Sequence, residues 1–308
     1  MTSHIEDTSE FHLKTIDGTS LFVRDWPLPG QISGEKAAPV RDGIVIMHGL
    51  GEHCGRYAHV ARFFNALGFV VRTYDHRGHG KSGGPRGDVP DEEAMLRDAR
   101  LVMNDFARQL SAPPILLGHS MGGLFAARFA AAGLAPLRAL ILSSPALALR
   151  MSPVQKLMLK AATALIPGVG ISNGLKTRYL SHDKEVVIAY QNDVLVHSKI
   201  SARLLGSMLK SMGYVAGHAA QLKIPTLLVV AVEDRLVDPA GSRNLFAHLA
   251  PSLASAHFYD GFYHEIFNEV DASRVFDDVH NWLQKQQLMP ESAPIVPTAT
   301  AATAIHAM

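Results

Sequence analysis

Ser120 sits in Gly118-His-Ser-Met-Gly122, a G-x-S-x-G pentapeptide. A serine hydroxyl is a poor nucleophile until a base takes its proton. The pentapeptide can place that hydroxyl on a sharp strand-to-helix turn, where the flanking glycines remove side chains that would collide. The helix N-terminus then favours negative charge developing beside the serine. A second match, Gly80-Lys-Ser-Gly-Gly84, tests the first. An apolar run precedes Ser120, and a helical run, Leu124 to Ala132, follows it. Ser82 has loop sequence on both sides and is expected to be structural. Gly80-Lys81-Ser82 does not make a phosphate loop either, because Asp75 stands where the first glycine is required.

The partners of such a serine follow it in the order acid, then histidine. Of the 16 histidines, five follow Asp234. His248 and His280 fall in expected helices, His257 in a strand and His306 in the C-terminal tail. His264 alone lies in the loop after the last strand, within Asp260-Gly-Phe-Tyr-His264-Glu. The acid must leave the end of the preceding strand, where Glu233, Asp234 and Asp238 compete. Asp238 precedes Pro239 and suits a helix N-cap, so Asp234 is the choice. Its task would be to orient the imidazole and stabilise its cation. Two backbone N–H groups should face the developing oxyanion: that of Met121, and one from the loop His48-Gly-Leu-Gly-Glu-His53, for which Leu50 is the candidate.

These residues need a frame. Phe11 to Ile16 and Leu21 to Trp26 flank an Asp17-Gly18 turn and read as a hairpin. After a Pro/Gly-rich stretch, Pro27 to Pro39, strands and helices alternate. Strands are expected at 43–47, 69–74, 114–117, 137–142, 226–232 and 254–259. Helices are expected at 57–67, 91–110, after Ser120, and at 271–288. This alternation implies a mostly parallel sheet covered on both faces. It stops between about Ala146 and Ala220, where helical periodicity and four methionines, with no convincing strand, suggest a helical cap over the sheet. The expected organisation is α/β core at 1–145, cap at 146–220, core again at 221–288, and a loosely attached tail at 289–308.

Composition narrows the classes. In 308 residues, 47% are hydrophobic and 19% charged, and the formal net charge is +1. That balance, with no basic block, argues against a nucleic-acid partner. One cysteine, Cys54, excludes an intrachain disulfide and a paired-cysteine zinc site. His76 and His79 lack a third metal-ligand cluster and read as loop structure; His48 reads as a support of its loop. The polar N-terminus has no apolar signal core. Leu147 to Ile171 is broken by Arg150, Lys156, Lys160 and two prolines, so no spanning helix is expected. The default address is cytoplasmic.

HGLGEH (48–53), YDHRGHGKSGG (74–84), GHSMGG (118–123), EDRLVD (233–238) and YHEIFNE (263–269) follow one another in order. On these pieces the chain resembles the alpha/beta-hydrolase family, in its monoacylglycerol lipase and lysophospholipase branch. The resemblance implies an α/β fold with a mostly parallel central sheet, flanking helices and an inserted helical cap. It implies Ser120, Asp234 and His264 as triad, with Leu50 and Met121 as oxyanion donors. It also implies that Glu52 and Arg56 lie beside the glycerol group of a substrate. Phe267 stands three residues after His264, where lipases of this branch can carry a histidine, and this points towards a looser esterase.

The expected activity is serine hydrolysis of fatty acyl carboxylic esters through an acyl-enzyme, of monoacylglycerol lipase or lysophospholipase type. It needs no metal or organic cofactor. A broad carboxylesterase, thioesterase or acyltransferase on the same triad is the first alternative, and a non-catalytic ligand binder the second. The apolar and basic mix of the cap suggests an acyl tunnel, with transient membrane-surface contact as a further expectation.

Overall fold

The computed structural model describes residues 8–28, 42–149 and 151–290. Most of the Pro/Gly-rich stretch, Arg150 and residues 291–308 lie outside them, as do His306, nearly all of the expected tail and the first seven residues.

The hairpin forms as expected, from β1 (Ser9–Lys14) and β2 (Ser20–Trp26), paired antiparallel with Phe11 opposite Val23. The core then runs β3 (Gly43–Met47), α1 (Ala58–Ala66), β4 (Val70–Tyr74), α2 (Ala94–Ala107), β5 (Ile115–His119), α3 (Met121–Ala131) and β6 (Ala139–Ser143). The sheet has eight strands in the order β1-β2-β4-β3-β5-β6-β9-β10, where β9 is Thr226–Ala231 and β10 is Ala254–Tyr259. Pairing from β4 to β10 is parallel throughout, and β2 meets β4 antiparallel. Parallel strands need covered crossovers, which explains why their sequences are apolar runs rather than alternating patterns.

Side-chain alternation nonetheless sorts the core into two layers. Val45, Leu116, Leu228 and Val230 face α2 and α3 on one side of the sheet. Ile44, Ile46, Leu117, Leu227 and Val229 face α1 and α8 (Ser273–Lys285) on the other, in a layer that also holds Trp26 and Trp282.

Between β6 and β9 lie α4 (Pro153–Leu165), β7 (Gly170–Ser172), α5 (Lys184–Asn192), β8 (Lys199–Ser201) and α6 (Ala202–His218). The insert is therefore not purely helical, contrary to expectation. β7 and β8 pair antiparallel, with Ile171 opposite Ile200. Three residues each are too few to show a period-two pattern in sequence. α7 (Pro239–His248) connects β9 to β10, and Asp238 caps it by accepting from the Ala240 N–H.

Candidate active site

The turn from β5 into α3 is built around Ser120, whose φ is +53° and ψ −118°. This left-handed region costs a non-glycine residue about 1–3 kcal/mol, so the surroundings must impose it. They do so through the backbone: Ser120 N–H donates to Ser143 O at 3.0 Å, and Ser120 O accepts from Leu124 N and Ala146 N. Packing leaves no alternative. A Cβ on Gly122 would stand 2.3 Å from Met47 O, and one on Gly118 would stand 2.5 Å from Gly122 O. The glycines thus permit β3, β5 and α3 to close on one another at the turn.

Ser120 Oγ lies 2.8 Å from His264 Nε2, and His264 Nδ1 lies 2.6 Å from Asp234 Oδ2. A carboxylate only accepts, so Nδ1 carries the hydrogen and Nε2 is left to accept from the serine hydroxyl. Asp234 is held in turn by the N–H groups of Leu236 (2.8 Å) and Val237 (3.0 Å) on its other oxygen. Burial would raise the Asp234 pKa, but the facing His264 charge and these hydrogen bonds leave it below its ordinary value. For His264, burial works to lower the pKa, yet the charge and hydrogen bond of Asp234 outweigh it and the imidazole sits above its usual value. The rivals are elsewhere: Glu233 is exposed, Asp238 caps α7, His248 bonds Asn244 O, and His257 lies against Asp278.

Beside Ser120 runs the 48–53 loop. A Cβ on Gly49 would be 3.3 Å from that of Ser120. Met121 opens α3, so its N–H has no acceptor in the helix, and the Leu50 N–H has no acceptor among the described residues. Both are available to an anion at the serine. The loop is braced by imidazoles. His48 Nδ1 donates to Gly49 O (2.8 Å), His48 Nε2 accepts from His76 N–H (2.9 Å), and His76 Nε2 donates to His48 O (3.1 Å). Burial holds His76 neutral, with its pKa lowered to about 4. Among the described residues no group of three or more His, Cys, Asp or Glu could hold a metal ion. Ser82, the other motif serine, is structural: its hydroxyl donates to Asp75 O and accepts from Phe22 N–H.

Glu52 lines the same space, and its Oε1 accepts from Gly49 N–H (2.6 Å) and Tyr57 O–H (2.7 Å). Arg56 does not line it. Its guanidinium bonds Glu52 and, bidentately, Glu265 at 2.7 and 2.8 Å. Glu265 was not singled out from the sequence; the only available signal was a carboxylate next to His264. Phe267 is buried against Phe276 in the α1/α8 layer and does not face the site. The side chain at this position therefore belongs to the core rather than to the cavity wall.

Ser120 and His264 open into a cavity of about 600 Å³. Its far walls come from the insert: Met158 and Leu159 of α4, Ile171 of β7, Leu175, and Leu205 and Met208 of α6. The insert is bonded to both loops of the site. His197 N–H donates to Gly51 O (2.8 Å), His53 pairs with Asp193 (2.7 Å), and Glu265 N–H donates to Leu180 O (2.8 Å).

A parallel sheet with this turn, this serine–histidine–aspartate chain and an insert after β6 defines an alpha/beta hydrolase. Residues 38–271 match the family described as "Serine aminopeptidase, S33", and the chain belongs to that family. It is 38% identical over 247 residues to the monoacylglycerol lipase of Mycolicibacterium smegmatis, covering 79% of this chain and 88% of that one. It is 32% identical over 237 residues to phospholipase YtpA of Bacillus subtilis, covering 76% of this chain and 91% of that one. The crystal structure of the Paleococcus ferrophilus monoacylglycerol lipase superposes with a TM-score of 0.75 at 31% identity, over 86% of this chain and 99% of that one. The chain is an enzyme, a serine hydrolase of carboxylic esters. No described helix is long and apolar enough to cross a membrane.

Proposed function

We propose that the protein hydrolyses monoacylglycerols, with Ser120 as nucleophile, His264 as general base and acid, and Asp234 as its orienting carboxylate. The observation that carries this reading is the Ser120–His264–Asp234 hydrogen-bonded chain at the end of a largely apolar cavity. Ser120 Oγ attacks the ester carbonyl carbon while its proton passes to His264 Nε2. The tetrahedral oxyanion is received by the Leu50 and Met121 N–H groups. His264 then returns the proton to the departing glycerol oxygen, and the carbonyl re-forms as an acyl-serine. Water, deprotonated by the same imidazole, releases the fatty acid and restores Ser120.

The insert, 146–220, acts as the cap, and its apolar walls take the acyl chain. On its outer side Val154, Leu157 and Leu165 are more than half exposed, which suits brief contact with a lipid surface. Arg150 and the Lys156 side chain, parts of the basic face read from sequence, lie outside the described residues. A relative named as a phospholipase favours lysophospholipids as a second reading. The polar end of the cavity favours the neutral head group, because the lining carboxylates Glu52 and Glu265 already share the Arg56 guanidinium, which does not itself line the cavity and so is not offered to a phosphate. Glycerol release from 1-monooleoylglycerol, with lysophosphatidylcholine in parallel and Ser120→Ala as control, tests the proposal. Release that vanishes in the variant is expected. Cleavage of lysophosphatidylcholine alone would move the substrate assignment to the second reading.

A further inference from the structure

Two loops meet at Ser120 from opposite ends of the chain. One carries Leu50, and the other carries His264. Catalysis of the kind proposed above requires a fixed spacing between them, because the N–H of one and the imidazole of the other act on the same tetrahedral centre. A continuous line of hydrogen bonds joins them, through a half-buried guanidinium. Gly49 N–H donates to Glu52 Oε1, Arg56 Nη1 donates to Glu52 Oε2, and Arg56 Nη1 and Nη2 donate to Glu265 Oε1 and Oε2. Gly49 is the residue before Leu50, and Glu265 is the residue after His264.

Every member of this line is itself held. Tyr57 O–H donates to Glu52, Asn268 Nδ2 donates to Glu265 Oε2 at 2.8 Å, and the Tyr190 ring lies 4.7 Å from the Arg56 guanidinium carbon. Burial acts to raise the Glu265 pKa, but Arg56 prevails and holds it at about 2. The carboxylate therefore stays charged and paired across the working range. A planar guanidinium gripping a carboxylate with two parallel bonds fixes angle as well as distance, which a lysine at the same place would not. Both Glu265 oxygens are engaged by protein donors, Oε1 by Arg56 and Oε2 by Arg56 and Asn268.

We propose that Glu265 is a positioning residue for ester cleavage: through Arg56 and Glu52 it sets the spacing between the Leu50 N–H and the His264 imidazole. The inference rests on the assignment of Ser120, His264 and Asp234 made above. It predicts a loss in turnover rather than in binding, because the misplaced groups act in the transition state.

The test measures kcat and KM on p-nitrophenyl butyrate, a soluble ester, for Glu265→Gln, Arg56→Lys, Glu52→Gln and the Glu265→Gln/Glu52→Gln pair, with melting temperatures and Ser120→Ala alongside. Glu265→Gln and Arg56→Lys should each lower kcat about tenfold with KM within about twofold. The pair should be no worse than about its poorer single variant, because both act through Arg56. Unchanged kcat with a lower melting temperature would make the line mere structural support and overturn the proposal. A raised KM with kcat held would make Glu265 a substrate contact and overturn it as well. If Glu265→Gln does not fold, Arg56→Lys decides on the same readouts. Turnover retained in Ser120→Ala would remove the underlying assignment itself, an outcome separate from any change in the Glu265 variants.

Discussion

The β5–α3 turn and α4 are both strand-and-helix neighbours of the same cavity, and they are built on opposite terms. At the turn the flanks are sealed: His119 and Met121 are buried, Ser120 is held at positive φ, and Gly122 touches β3 backbone so closely that a methyl group does not fit. α4 has good local chemistry. Ser152 and Gln155 form a reciprocal capping box, and Pro153 occupies its first turn. Yet none of its described residues is fully buried, and Leu157 and Leu165 are 68% and 80% exposed. Its inner edge, Leu159 and Ala162, faces the cavity rather than a sealed core, and a helix with so little buried surface belongs to the low-stability end of a fold. The contrast teaches that this molecule separates precision from access: atoms that react are fixed by backbone packing, while the wall that must admit a lipid is secured locally.

The contrast can be broken most severely at the reacting end. Asp234→Asn should lower kcat by about 10⁴-fold, because the amide no longer enforces the Nδ1–H form of His264; the melting temperature should move little by comparison. Near-normal turnover in this variant would show that another group orients the imidazole. Gly122→Ala should cost at least about 100-fold in activity, since its Cβ would stand 2.3 Å from Met47 O and 2.5 Å from His48 O and must displace both carbonyls. Gly213→Ala, on α6 with open space around it, should instead stabilise by about 0.5–1 kcal/mol with activity kept. Equal effects from the two glycines, in paired melting and activity assays, would contradict the contrast.

The pH profile sharpens it next. Activity requires a neutral His264 Nε2, and the Asp234 charge raises the His264 pKa. The acid limb of kcat/KM should therefore fall above the free-imidazole value of about 6.5, dropping about tenfold per unit of pH below it. In Asp234→Asn the limb should move downward; an unmoved limb would assign it to another group. The smallest effect is expected on α4. Leu157→Gln with Leu165→Gln should change stability by no more than about 0.5 kcal/mol, as surface substitutions do. Hydrolysis of a soluble ester should be kept, and sedimentation with phosphatidylcholine vesicles reduced. Vesicle binding equal to that of the unaltered chain would place lipid contact elsewhere.

The same contrast explains what the sequence could reveal. The turn imposes residue types: glycines where backbones touch, an apolar strand before and a helix after. Ser120 is legible on those terms, Asp234 and His264 by their places after the last strands, and the structure brings the three within hydrogen-bond reach of one another. Ser82 failed the same test for a visible reason, and it pins the loop after β4. The strands were legible because parallel strands buried on both faces are short apolar runs. The insert was not legible in detail, because β7 finds β8 across 26 intervening residues and shows no pattern of its own. Glu265 escaped because its meaning lies in Arg56, 209 positions away. Arg56 was read towards the substrate, whereas the fold turns it between two carboxylates. Phe267 looked informative by position, but the short turn after His264 sends its side chain into the core.

The two tryptophans of the chain, Trp26 and Trp282, both sit in the layer beneath α1 and α8, each only 3% exposed. None of the described insert residues belongs to that layer, and Ile200, Leu204, Met208 and Val215 lie in the other. Intrinsic fluorescence is therefore an unbalanced reporter for this molecule. It will register loss of the sheet and its supporting helices, and stay silent to a change confined to α4. A spectroscopist following substrate entry needs a dye on that helix, for which the outward-facing position of Leu165 is suited.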